Sequence, residues 1–196
     1  MTTLYRQLHF LFPILKESFR DTFLKLTDDI HLFKDTNYRI LIFDNQSALT
    51  EQAINFFEQI ELPLLSHSMV FICAPSSSGF IHKDVHHNPE WNGKYCHASL
   101  SVHLTSYPGE LHWYDLDDLG VIEKTEVDTP YESWNNPTNV IAKWCSILPT
   151  LIKTDVAHSA VNNSTDQLRA TFTIRFEGNP DWDVICNKLR HHLIDI

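Results

Sequence analysis

The sequence holds only four cysteines in 196 residues, and no two of them are close. Cys73, Cys96, Cys145 and Cys186 form no CxxC pair, which excludes a zinc ribbon or a dithiol redox motif. They read instead as reduced core thiols of a cytoplasmic protein. Glycine is equally scarce, with five residues, and there is no low-complexity tract or internal repeat. Positive charge is short as well: 15 Lys and Arg face 25 Asp and Glu, a formal net charge of -10. Nucleic-acid backbones need Lys and Arg to displace counterions, so that balance argues against a nucleic-acid partner. Long apolar runs are also missing. The longest near the start, LHFLFPIL, is too short to cross a bilayer and precedes no small-residue cleavage site. The expectation is a soluble, cytoplasmic protein with no membrane partner.

What is present is enough apolar residue, 43%, to build one core. The first stretch, TLYRQLHFLFPILKESFRDTFLKL, has apolar residues at helical length, interrupted by Pro13. Tyr38 to Phe43 is a short β-like run. In SALTEQAINFFEQI, Leu49, Ala53, Phe56, Phe57 and Ile60 recur at helical spacing, so one face should bury on a sheet. From Met69 onward short strands dominate. MVFICA comes first, then YCHASLSVHL, LHWYDL, VIAKWCSI, TLIKT and LRATFTIRF. Near the end Asn179 suits an N-cap and Pro180 a first helical position, ahead of a stripe of Trp182, Ile185, Leu189 and Leu193. The pattern predicts one domain: a helix-rich support over 1–66, a β core over 67–178 and a C-terminal helix over 179–196. Helices would brace a mainly antiparallel β-sandwich or barrel.

Three of the twelve histidines fall within six residues of GFIHKDVHHNP. In an extended chain, His82 and Asp84 point the same way. An imidazole beside a carboxylate suits a divalent transition metal. Taken alone, an H-x-D pair reads equally as a solvated strand end. His158, among small and apolar residues, reads alone as a hydrogen-bonded core histidine. The strand that follows alternates with two distinct faces: Leu168, Ala170, Phe172, Ile174 and Phe176 on one, Arg169, Thr171, Thr173 and Arg175 on the other. Arginine is rarely buried without a partner, so the second face is either solvent-exposed or the wall of a polar pocket that holds an anion. In the pocket reading Arg169 clamps a carboxylate through its planar fork and Thr171 adds a hydroxyl.

His82-Lys-Asp84, then His158, then Arg169-Ala-Thr171 resembles the Fe(II)/2-oxoglutarate-dependent dioxygenases in order and spacing. The resemblance covers about Phe80 to Phe176, and SLSVHL and ELHWYDL look like strands of that family. It implies a mainly β fold with flanking helices, built on a double-stranded β-helix of jelly-roll or cupin-like form. It implies Fe(II) held by His82, Asp84 and His158, which would be the catalytic residues. It implies 2-oxoglutarate held by Arg169 and Thr171, with Ser101, which stands where the family commonly has asparagine, among the co-substrate contacts. His103 replaces a common proline. The implied reaction consumes dioxygen, releases succinate and carbon dioxide, and hydroxylates a small molecule, an amino acid or a peptide side chain. His86, His87, Trp91, Trp113 and Tyr114 would lie on the substrate side, although the tryptophans read equally as core filling.

Arg175 lies six residues beyond Arg169, about 20 Å along an ideal strand. A five-carbon diacid cannot use both, and the family spacing favours Arg169. Arg175 reads as an ion-pair partner or a substrate-side residue. Two other functions stay open at this point. One is a non-catalytic metal-binding β-helix. The other is a cupin-like metalloenzyme in which His97, His103 or His112 replaces Asp84.

Overall fold

The structure is a computed structural model that describes residues 3–27, 37–85, 95–115, 121–124, 130–134 and 139–194. The described residues include thirteen strands: β1 Tyr5–Gln7, β2 Tyr38–Asp44, β3 His67–Cys73, β4 Ser77–Ser78, β5 Ile81–Asp84, β6 Ala98–His103, β7 Glu110–Asp115, β8 Val121–Lys124, β9 Pro130–Trp134, β10 Asn139–Trp144, β11 Thr150–Lys153, β12 His158–Asn162 and β13 Arg169–Ile174. Helices are α1 Glu17–Thr27, α2 Asn45–Ala48, α3 Glu51–Gln59 and α4 Trp182–Lys188.

Two antiparallel sheets result. The major sheet runs β1-β11-β6-β13-β3-β2, and the minor sheet runs β10-β7-β12-β5-β9-β8, with β4 joined to β12. Along the chain β3, β6, β11 and β13 belong to the major sheet, while β5, β7, β10 and β12 belong to the minor one. The chain therefore winds to and fro between the sheets, which is the double-stranded β-helix expected from the motif order.

Strand alternation decides which face each residue takes. Leu100 and Val102 of β6, Val70 and Ile72 of β3, and Ala170, Phe172 and Ile174 of β13 share one buried cluster with Phe23 of α1, Phe57 of α3, and Ile185 and Leu189 beside α4. The helices thus cover the apolar face of the major sheet. Burial of each such large side chain contributes roughly 1.5–3 kcal/mol. The opposite face, with Ser99, Ser101, Thr171 and Thr173, turns toward the minor sheet and lines the cavity between the two. The alternation of LRATFTIRF thus separates a core face from a pocket face.

Three sequence expectations are corrected. The first apolar stretch is not one helix: Tyr5–Gln7 pairs antiparallel with Thr150–Ile152, and α1 starts only at Glu17, beyond Pro13. A free sheet edge at β11 captures the segment, and Tyr5 stacks on Trp144 at 3.9 Å and on Trp113 at 5.6 Å. The N-cap of α4 is Asp181, not Asn179. Asn179 has φ +48° and its amide is already engaged, donating to the Tyr95 carbonyl and accepting from the His97 N–H. Of the four cysteines, Cys73 and Cys96 are buried, but Cys186 is only partly so and Cys145 is exposed. Among the described residues no helix is long and apolar enough to cross a membrane.

Candidate metal centre and anion pocket

His82 and Asp84 sit on β5, and His158 opens β12. The register pairs His158 with His82 across the two strands, so both imidazoles leave the minor sheet on its inner face. Their ring centroids are 4.5 Å apart. One ligand atom from each of His82, Asp84 and His158 lies within 4.8 Å of the others, and all three residues are buried. This is the only such group of three among the described residues.

Each imidazole is oriented by its own strand. His82 Nδ1 is 3.0 Å from the Phe80 carbonyl, and His158 Nδ1 is 2.8 Å from the Val156 carbonyl. A carbonyl only accepts, so each Nδ1 carries the proton and donates it. In the neutral ring Nε2 then presents a lone pair. His82 Nε2 faces Asp84 Oδ1 at 3.3 Å. That approach is close enough for one cation to be held by both residues. The other Asp84 oxygen accepts a 2.8 Å hydrogen bond from Arg175 Nη2, in an ion pair exposed by only 6% on either side. Burial opposes the Asp84 charge, yet the Arg175 guanidinium, and after it the His82 contact, hold the carboxyl well below the usual carboxylate range. Arg175 is thus the ion-pair partner of Asp84, a candidate metal ligand. The sequence allowed that role without naming Asp84.

The cavity beside the triad is open to solvent and, counting its mouth, spans about 400 Å3 of space free of protein atoms. Its walls include Ser99, Ser101, Tyr38, Arg169, Thr171 and Thr173. Arg169, 5% exposed, lies six residues before the Arg175 that pairs with Asp84, and its Nε donates to the Pro108 carbonyl at 2.8 Å. Thr171 Oγ1 lies 3.4 Å from His103 Nδ1. The Ser99 hydroxyl is buried in the cavity wall with no hydrogen-bond partner among the described residues, so it is free to meet a polar ligand there.

Tyr38 was missed in the sequence. β2 pairs with β3 so that Tyr38 stands opposite Cys73, and β13 places Arg169 opposite the same Cys73. One cross-strand row therefore carries Tyr38 and Arg169 on the pocket face. Gly79 makes room for the ring, since a Cβ there would stand 3.1 Å from Tyr38 Cε2. The strand was legible in YRILIF, but its register was not.

The remaining candidates go elsewhere. His97 bridges Asp155 at 3.0 Å and Asp181 at 3.4 Å. His112 pairs with Glu110 at 2.6 Å, and His103 lies beside Thr171 and Arg169. None of the three joins the metal-ligand group, which leaves Asp84 as the carboxylate of the set. Trp113 is fully buried and donates to the Lys153 carbonyl, and Tyr114 hydrogen-bonds Ser159 at 2.9 Å. Neither lines the cavity. His86, His87 and Trp91 lie outside the described residues.

His158, which is buried, and His103, which is half-buried by accessible surface, give the fold a pH signature. Burial, with His82 beside it, lowers His158 to about 4, and burial followed by Arg169 lowers His103 to about 3. Both folded values lie below the unfolded value of about 6.5. Below that pH the unfolded chain takes up protons that the folded chain refuses. Each group then removes up to about 1.4 kcal/mol of stability per pH unit until its folded value is reached. The urea midpoint of metal-free protein should fall between pH 7 and pH 5, and His103→Gln should flatten that slope. A midpoint equal at the two pH values would contradict the assignment of neutral rings.

No family model and no curated protein matches the chain. Solved structures do resemble it. A prolyl-4-hydroxylase from Pseudomonas putida is 12% identical over 89% of this chain and 92% of that one, with a TM-score of 0.47. The non-heme alpha-ketoglutarate-dependent carbocyclase SnoK from nogalamycin biosynthesis is 11% identical over 88% and 78%, with a TM-score of 0.48. AviO1 from Streptomyces viridochromogenes is 12% identical over 89% and 92%, with a TM-score of 0.44. At such identities and scores these are likenesses only. The chemistry of this chain rests on its own side chains.

Proposed function

We propose that this chain is an Fe(II)- and 2-oxoglutarate-dependent oxygenase that hydroxylates a small molecule, an amino acid or a peptide side chain. The observation that carries the reading is the meeting of His82, Asp84 and His158 in the same cavity as a buried arginine, Arg169, that has no carboxylate partner among the described residues. Two imidazoles and one carboxylate occupy one face of an octahedral metal and leave the opposite face open. The donor set of two imidazole nitrogens and one carboxylate fits ferrous iron. When bound, iron and 2-oxoglutarate together supply oxidative decarboxylation coupled to oxygen transfer.

The protein's own residues do the rest. His82 and His158 hold their Nδ1 protons on backbone carbonyls and keep Nε2 for the metal. Arg175 holds the Asp84 carboxylate ionised and fixes one of its oxygens, so that the other turns to the metal. Arg169 and Thr171 receive the distal carboxylate of the co-substrate, with the Ser99 and Ser101 hydroxyls along the floor between. Phe71, Leu111 and Ile152 supply the apolar part of the wall and limit water around the reacting carbon.

The test is a succinate-release screen with Fe(II), ascorbate and 2-oxoglutarate across free amino acids, short peptides and nucleosides. The expected result is succinate that depends on added iron and rises with one class of primary substrate. Protein that binds metal and 2-oxoglutarate, yet releases no succinate with any class, would instead fit a non-catalytic binding module.

A further inference from the structure

The guanidinium of Arg169 is held by a turn. Gly109 has φ +60°, a conformation side chains rarely adopt. A Cβ at this position would stand 2.5 Å from Arg169 Cδ, 2.9 Å from Arg169 Nε and 2.5 Å from the Val161 carbonyl oxygen. The preceding residue, Pro108, accepts the Arg169 Nε hydrogen at 2.8 Å. The turn therefore touches the arginine stem on one side and fixes its Nε on the other.

A second cavity, of about 310 Å3, lies beyond Arg169. Pro108, Gly109, Cys145 and Ser146 line this outer cavity and not the inner one, whereas Ser101, Leu111, Ile152 and Arg169 line both. Arg169 is the one charged member of that shared wall. Its position along the inner cavity sets the distance from the metal ligands to the cation that receives a carboxylate.

We infer that the Pro108–Gly109 turn is a specificity-determining positioning element that sets the length of the 2-oxo diacid accepted, by clamping Arg169 as a fixed end wall. The inference rests on the co-substrate reading above and deepens it. A Cβ on Gly109 pushes from the outer cavity, so it drives the guanidinium inward and shortens the inner one. The five-carbon diacid then loses ground to the four-carbon one.

The experiment titrates full-length protein loaded with Mn(II), which does not turn over, with 2-oxoglutarate and with oxaloacetate, by calorimetry. One methylene in a fitted pocket is worth about 10- to 200-fold, so Gly109→Ala is expected to cut the preference for 2-oxoglutarate at least about tenfold. Mn(II) affinity should stay within about twofold, because no ligand touches the turn. In an Arg169→Ala background the same glycine change should leave the ratio alone, since the arginine atoms it strikes are gone and only the Val161 carbonyl contact remains. Arg169→Lys, which needs no new Cβ at the turn, keeps the charge but lacks the Nε fork. It should lose length discrimination while still binding diacid, and it decides the matter if Gly109→Ala does not fold.

An unaltered ratio in the folded Gly109→Ala protein, or full discrimination in Arg169→Lys, overturns the inference. So does a parallel fall in Mn(II) affinity, which would mean that contact with Val161 had disturbed β12. Wild-type protein that binds Mn(II) but no 2-oxoglutarate is a different failure: it removes the co-substrate reading itself.

Discussion

Asp84→Asn is expected to lower Fe(II) affinity by more than about 100-fold and to abolish iron-dependent turnover, yet leave the fold standing. Loss of an outer partner of a metal site typically costs about 10- to 100-fold, and loss of a charged ligand should exceed that. The asparagine side-chain oxygen can still accept from Arg175 Nη2, which now sits 2.8 Å from the carboxylate. Asp84→Ala is a harsher change. It leaves the Arg175 guanidinium, 5% exposed, without its anion. Breaking one half of a buried pair costs about 3–5 kcal/mol. The alanine protein should therefore lose both metal and stability, while the asparagine protein loses mainly metal. Calorimetric metal titration beside urea unfolding separates the two. An Asp84→Asn protein with wild-type iron affinity would remove Asp84 from the ligand set.

The second large effect divides the two arginines. Arg169→Ala should weaken 2-oxoglutarate binding by about 100-fold or more, because a forked contact to a carboxylate comprises two charge-assisted bonds of about 1.5–3 kcal/mol each. Metal affinity should hardly change, since Arg169 contacts none of the three ligands in the structure's hydrogen bonds. Arg175→Met should do the reverse. Co-substrate affinity per loaded site stays near wild type, and metal affinity falls by about 10- to 100-fold because Asp84 loses its orienting partner. Titrating 2-oxoglutarate into each Mn(II)-saturated variant reads the split directly. If both variants lost co-substrate equally, the separate duties of the two arginines would be refuted.

The sequence carried this division only in part. The two faces of LRATFTIRF were legible because alternation is local, and the helices do cover the Leu168–Phe176 face while Arg169, Thr171 and Thr173 line the cavity. His82, Asp84 and His158 were legible as a motif order, but their convergence depends on the pairing of β5 with β12, some seventy positions apart in the chain. Pairing over such separations leaves no local trace, and that also hid Tyr38. Its strand was visible in YRILIF, but its place opposite Cys73 was not. Tyr5–Gln7 was misread because a three-residue strand has no periodicity of its own; an open edge at β11 decides its conformation. Trp113 and Tyr114 show the opposite hazard. They were expected to wall the site, but Trp113, which shares the face of its cross-strand partner His158, is taken up by Tyr5, while Tyr114 points to the other face and hydrogen-bonds Ser159.

One feature of the metal centre bears on how such a protein changes over time. Both ligand imidazoles are tethered to a carbonyl two residues back on their own segment, Phe80 for His82 and Val156 for His158. Ring orientation is thus a property of the main chain, indifferent to which side chains occupy neighbouring positions. Mutation can remodel the surrounding loops toward new substrates while the imidazole geometry is inherited intact.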